Sequence, residues 1–130
     1  NDKATVVTDT GIISDDILHR LDDSTLLVLE ANYDPHMLRF GPYQPFLKQR
    51  VASDEGHLSN EMAAQALLMM KRPDFMQVIL AHRSENNNNA VLVTQTIGKM
   101  LVDGGVRIGP EMKLQHGQPN EIVSMQSVKR

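Results

Sequence analysis

Three short apolar runs, each closing on an ionisable side chain, constrain this chain more than any other feature. They are Val6-Val7-Thr8-Asp9, Leu27-Val28-Leu29-Glu30 and Ile79-Leu80-Ala81-His82. β-Branched Thr5, Val6, Val7 and Thr8 predict a strand over 4–8. The uninterrupted run from Leu26 to Leu29 predicts a strand over 25–30, covered on both faces. A third strand is predicted over 75–81. Helix-length segments separate the three, so they can run parallel in one sheet. Parallel strands bring their carboxyl ends to one edge, where open α/β sheets build their sites. Asp9, Glu30 and His82 are therefore expected to converge although they lie far apart in sequence. Asp9-Thr10-Gly11 alone is also ordinary turn chemistry, with Gly11 allowing a sharp bend. The repetition of the pattern is what gives it meaning.

The intervening segments read as helices. Ser14 is a predicted N-cap for a helix ending near Leu21, with Asp15 and Asp16 in its first turn. One helical turn is expected over 36–40 and a second short helix over 46–52, divided by Gly41-Pro42. Ser59 caps the clearest helix, expected to run to Lys71 before Pro73 stops it. Its stripe of Met62, Ala63, Ala66, Leu67, Met69 and Met70 reads as core packing. A long helix is predicted over 89–102, ended by Gly104-Gly105. The tail reads as a β-hairpin, with strands over 112–116 and 121–127 and a turn at Gly117-Gln118-Pro119-Asn120.

With 130 residues, 41% of them apolar and 22% charged, the chain is long enough for one domain with a single core. The net charge of −3 argues against a surface that binds nucleic acid on every side, though not against a local basic face. There is no cysteine, so disulfides, thiolate nucleophiles and cysteine-ligated zinc are excluded. Any metal must be held by His, Asp or Glu. No stretch approaches the ~18 apolar residues of a membrane span, and no signal peptide is expected. A cytoplasmic location is the expectation. The first residues run almost at once into a strand without an initiator Met, which points to a fragment.

Asp and His at one sheet edge suit zinc, manganese or iron. A carboxylate can bridge two such ions, and a metal pair can activate water and stabilise displacement at phosphorus. Glu30 can orient a ligand or a neighbouring His. A catalytic metal usually has at least three protein ligands, and no His-x-His or His-x-x-x-His cluster supplies the rest. Gly56-His57-Leu58-Ser59-Asn60 adds His57, just before a capped helix, as a possible general acid. The same stretch also reads as a loop histidine followed by an ordinary cap. Arg39, Lys48 and Arg50 fit either a basic face for a nucleic-acid backbone or a solvated helix face. Asn86 to Asn89 fit either contact with phosphate or sugar, or a loop ending in a helix cap.

With these stretches placed, the chain resembles the second half of a metallo-β-lactamase-fold hydrolase. It is most similar to the YycJ/WalJ-type nucleases, relatives of ribonuclease Z and ribonuclease J. The resemblance rests on Thr8-Asp9-Thr10-Gly11, Leu29-Glu30-Ala31-Asn32, the segment from Met37 to Tyr43, Gly56-His57-Leu58-Ser59-Asn60, and Leu80-Ala81-His82-Arg83-Ser84 with its following asparagines. It covers nearly the whole chain, and the order and spacing of the motifs carry it.

The resemblance implies an α/β fold, one half of an αββα sandwich with two divalent ions, zinc or manganese, at the sheet edge. Asp9 would match the carboxylate that bridges the metals, and His82 the last metal-ligating histidine. Glu30 and His57 would match a pair that passes a proton to the leaving group. The implied activity is phosphodiester hydrolysis, with 5′→3′ exonuclease action on DNA favoured over RNA. The family's His-x-His-x-Asp-His motif lies in the other half, so this chain alone would carry an incomplete site and be inactive. Tyr33 stands where similar members usually carry His. Two rivals remain: a hydrolase of a small phosphodiester or thioester, and an inactive half-domain that self-associates through its exposed sheet face.

Overall fold

The computed structural model describes residues 2–81 and 83–117. Its elements are β1 (Ala4–Val7), α1 (Asp15–Leu21), β2 (Leu26–Glu30), α2 (Pro35–Phe40), α3 (Pro45–Val51), α4 (Asn60–Met69), β3 (Met76–Ala81), α5 (Ala90–Asp103) and β4 (Met112–His116). This is the expected α/β class: one four-stranded sheet, in the order β1-β2-β3-β4 with every neighbouring pair parallel, plus helices.

Register divides the sheet into two faces. Val7, Leu29, Leu80 and His116 form one row across the four strands, and Thr5, Leu27, Val78 and Leu114 form another on the same side. The apolar members of these rows pack with Leu21, Ala63, Leu67, Val93, Ile97 and Leu101 from α1, α4 and α5. Strand order equal to sequence order places right-handed crossovers on a single side of the sheet, which explains the shared core. On the opposite face, Leu26 and Ile79 are also buried, as the continuous apolar runs predict, but Val6 at the β1 edge is 62% exposed.

Local chemistry sets most helix starts. The Ser14, Ser59 and Asn89 side chains accept from the backbone N–H groups of Ile17, Met62 and Leu92, the caps expected for Ser14 and Ser59 and the alternative considered for Asn89. Asp34 caps α2 in the same way, with Pro35 at its first turn.

One expectation changes. α4 stops at Met69 rather than Lys71, because the Arg72 guanidinium donates to the carbonyls of Leu67 and Leu68 and Met70 turns extended. Met69 is thus 66% exposed and leaves the core stripe, while Met70 stays buried. β4 coincides with the first arm of the predicted hairpin, but it lies parallel to β3 at the sheet edge. The long α5 crossover delivers it there. The second arm, over 121–127, lies outside the described residues. No helix among the described residues is long and apolar enough to cross a membrane.

Candidate metal-binding and catalytic site

β1 and β2 pair with Val7 opposite Leu29, so the residues just beyond each strand meet at the carboxyl edge. Glu30 is fully buried there. Its two oxygens accept from the Leu58 backbone N–H at 3.0 Å and the Asp9 backbone N–H at 3.3 Å. His57 Nδ1 lies 3.1 Å from Oε2 and 3.3 Å from Oε1 of the same carboxylate. A buried carboxylate needs such partners, because an unpaired charge away from water is costly. Glu30 is therefore the hub that positions both the Asp9 turn and the His57 ring.

Asp9 sits above this hub with its side chain mostly in solvent, and Oδ1 is 3.8 Å from His57 Nδ1. Its backbone is left-handed, with φ of 58°. Asp tolerates that region better than most residues, and strained positions of this kind gather at functional sites. The sharp bend thus belongs to Asp9 itself. Gly11, expected to supply the bend, has a different task. Its N–H donates to Asp54 O at 2.9 Å, and a Cβ there would stand 1.6 Å from Ser53 O. Gly56 repeats the device, since a Cβ on it would lie 2.3 Å from the carbonyl oxygens of both Arg50 and Val51. These two close approaches press the Asp9 turn and the His57 loop against the end of α3.

Ligand-type atoms of Asp9, Glu30 and His57 all lie within 4.8 Å of one another. Two carboxylates and an imidazole form an oxygen-and-nitrogen set of the kind that can hold a divalent cation. Because Glu30 is already occupied by three donors, it fits the role of orienting His57 better than that of a direct ligand. With Nδ1 turned to Glu30, His57 directs Nε2 away from the hub. His82, the other expected ligand, lies outside the described residues. It comes after Ala81, whose carbonyl accepts from the Ala31 N–H at 3.1 Å. On its other side Ser84 donates its N–H to Asn32 O at 2.8 Å.

The asparagine run settles mainly into structure. Asn88 and Asn60 exchange side-chain hydrogen bonds at 2.7 and 2.9 Å, and Asn88 also donates to Ala31 O at 3.1 Å. This buried clamp ties the end of β2 to the starts of α4 and α5. Its signal in the sequence was four asparagines just before a helix, which does not say which of them turns inward. Asn88→Ala should lower stability by about 2 kcal/mol, because it leaves Asn60 and the Ala31 carbonyl unpaired. A chemical denaturation midpoint checks this, and no shift would mean that water restores both bonds. Tyr33 is buried between these elements. Its carbonyl accepts from the Asn60 N–H at 2.9 Å. Burial, with Glu61 nearby, holds its phenol above the usual tyrosine range. At this position the chain has a wall of the groove between α2 and α3.

A cavity of about 180 Å³ opens beside the cluster, lined by Asp9, His57 and Glu55 with Leu47, Arg50 and Val51 of α3. A larger one of about 510 Å³ lies near the amino ends of β3 and β4. There Arg107 already holds Glu111 at 2.7 Å and keeps its carboxyl below the usual range.

No protein-family model matches the chain, and no solved structure does. The exodeoxyribonuclease YycJ of Bacillus anthracis is 32% identical over 128 residues, which is 98% of this chain and 48% of that protein. The exodeoxyribonuclease WalJ of Streptococcus pneumoniae serotype 2 strain D39 is 35% identical over 121 residues, 92% of this chain and 45% of that protein. WalJ of S. pneumoniae strain R6 gives the same figures. The chain spans about half the length of the curated relatives it matches. Over that half, the chain is similar in sequence to the YycJ/WalJ-type exodeoxyribonucleases.

Proposed function

We propose that this chain carries one part of the catalytic centre of a metal-dependent nuclease that hydrolyses phosphodiester bonds in DNA, and that it corresponds to the second half of a metallo-β-lactamase-fold domain. The observation that carries this reading is the meeting of Asp9, Glu30 and His57 at the carboxyl edge of a parallel sheet. The exodeoxyribonuclease names of the relatives support it.

Asp9 and His82 would hold divalent ions, zinc or manganese. When bound, such ions supply Lewis-acid stabilisation of the phosphoryl oxygens and an acidified water. Glu30 fixes the ring of His57 through Nδ1, so Nε2 holds the proton that passes to the leaving oxygen. The buried Glu30 carboxylate keeps the ring oriented for that transfer. The cavity of about 180 Å³ beside Asp9 and His57 has room for a phosphate group.

The test is cleavage of an end-labelled DNA oligonucleotide with added zinc or manganese, run on the 130-residue chain and on any longer form of the protein. Asp9→Ala should reduce bound metal and abolish cleavage. His57→Ala should keep its metal and lose about 10²- to 10⁴-fold in rate, the usual worth of a general acid. Unchanged cleavage in His57→Ala would remove the acid role, and loss of metal there would recast His57 as a ligand. The 130-residue chain by itself is expected to bind metal weakly and not to turn over, and clear activity that depends on Asp9 would overturn the partial-site view.

A further inference from the structure

The cavity of about 510 Å³ lies at the far end of the sheet from Asp9 and His57, by the amino ends of β3 and β4, where Met76 pairs with Met112. The six residues of β3 hold the two ends about 16 Å apart at the usual rise per residue. The cavity shares no lining residue with the one beside Asp9 and His57. Both signs of charge line it, Arg72 and Arg107 with Asp74 and Glu111. Arg107 Nε donates to Glu111 Oε1 at 2.7 Å, so those two charges already satisfy each other. Arg72 and Asp74 are different. Among the described residues, neither has an ion-pair partner.

Arg72 is held in place before any ligand arrives. Its Nη1 donates to Leu67 O at 2.7 Å and to Leu68 O at 3.1 Å, the carbonyls at the end of α4. That fixes the guanidinium and leaves Nε and Nη2, a side-by-side pair of donors that matches the two oxygens of a carboxylate. Asp74 follows two residues on, past Pro73, whose ring restricts the backbone between them. Its carboxylate is an acceptor for an ammonium group. Leu68 and Pro73 add an apolar wall. Such a lining discriminates by charge. Asp74 repels a simple anion such as phosphate, and the two guanidiniums repel a metal cation. A ligand that carries a carboxylate and an ammonium close together satisfies both, and the cavity has the ~300–1,000 Å³ of small-molecule sites.

We propose that this cavity binds a free α-amino acid with an aliphatic side chain. The ligand's carboxylate pairs with Nε and Nη2 of Arg72, its ammonium pairs with Asp74, and its side chain lies on Leu68 and Pro73. Binding there is independent of the nuclease reading and needs no metal.

The experiment is a titration of the isotope-labelled 130-residue chain with L-leucine in the presence of EDTA, followed by amide chemical shifts. Saturable shifts are expected at Arg72, Asp74, Arg107 and Glu111, with none at Asp9, Glu30 or His57. Leucine amide lacks the carboxylate and N-acetyl-leucine lacks the ammonium. Each should bind about tenfold more weakly or worse, the worth of one charge-assisted hydrogen bond. Asp74→Asn should weaken L-leucine binding by a similar factor and leave the affinity for N-acetyl-leucine unchanged. The amide spectrum itself reports whether that variant is folded, and the two analogues test the site on the unaltered chain. No saturable shift, equal affinity for all three ligands, shifts centred on Asp9 and His57, or full L-leucine affinity in folded Asp74→Asn would each overturn the site. So would the same shifts from inorganic phosphate at the same concentration, which would make the cavity a plain anion site.

Discussion

Glu30→Ala should lower the stability of the chain by about 4 kcal/mol, more than any other single change at the sheet edge. The carboxylate accepts from two backbone N–H groups and the His57 ring while fully buried. Removing it strands the Leu58 N–H, for which Leu58's own complete burial leaves no access to water. It also opens a hole where the side chain stood. Glu30→Gln is the informative companion. It preserves volume and one acceptor oxygen but presents an NH₂ group to at least one existing donor, so about half of the loss should remain. Urea denaturation monitored by circular dichroism reads both. A Glu30→Ala protein within 1 kcal/mol of wild type, a span roughly the worth of one ordinary hydrogen bond, would show that Glu30 is not the hub described.

Gly11→Ala should cost about 3 kcal/mol and pull the Asp9 turn off the His57 loop. The atom that a Cβ would strike is the Ser53 carbonyl oxygen, 1.6 Å away, so no rotamer change relieves the clash. The Gly11 to Asp54 hydrogen bond would have to break as the chains separate. Gly98→Ala provides a control of opposite sign. It lies inside α5, its nearest obstacle is the Ile108 Cδ1 methyl at 4.0 Å, and Ala favours a helix interior over Gly by about 1 kcal/mol. The two substitutions add the same methyl group. Melting temperatures that move in the same direction would mean that the close approach at Gly11 is not what the chain needs there.

Much of this arrangement is legible in the residues themselves. Strand ends at Glu30 and Ala81 and the capping of α1 and α4 by Ser14 and Ser59 come from local patterns, because apolar period and cap chemistry act over a few residues. The meeting of Asp9 with Glu30 comes from parallel pairing. Contact between distant backbones is what the sequence hides. Nothing near Gly11 announces Ser53, nothing in Gly56 announces the end of α3, and the left-handed residue of the turn is the Asp rather than the Gly beside it. The neighbour of β4 is hidden for a related reason. A turn signal reports where a strand stops, while α5 decides which strand lies beside it. Met69 reads as core by spacing, yet lies exposed because Arg72, a residue beyond the helix, closes the last carbonyls.

Strand order also bears on how the molecule can be assembled. Each strand pairs with the one made just before it, so none has to be threaded between two that are already joined. The sheet can grow from one edge in the order of synthesis. Asp9, Glu30 and His57 all belong to the stretch that ends before α4, so the carboxylate hub can close while β3, α5 and β4 are still to come. Those later elements then cover an edge whose polar centre is already paired.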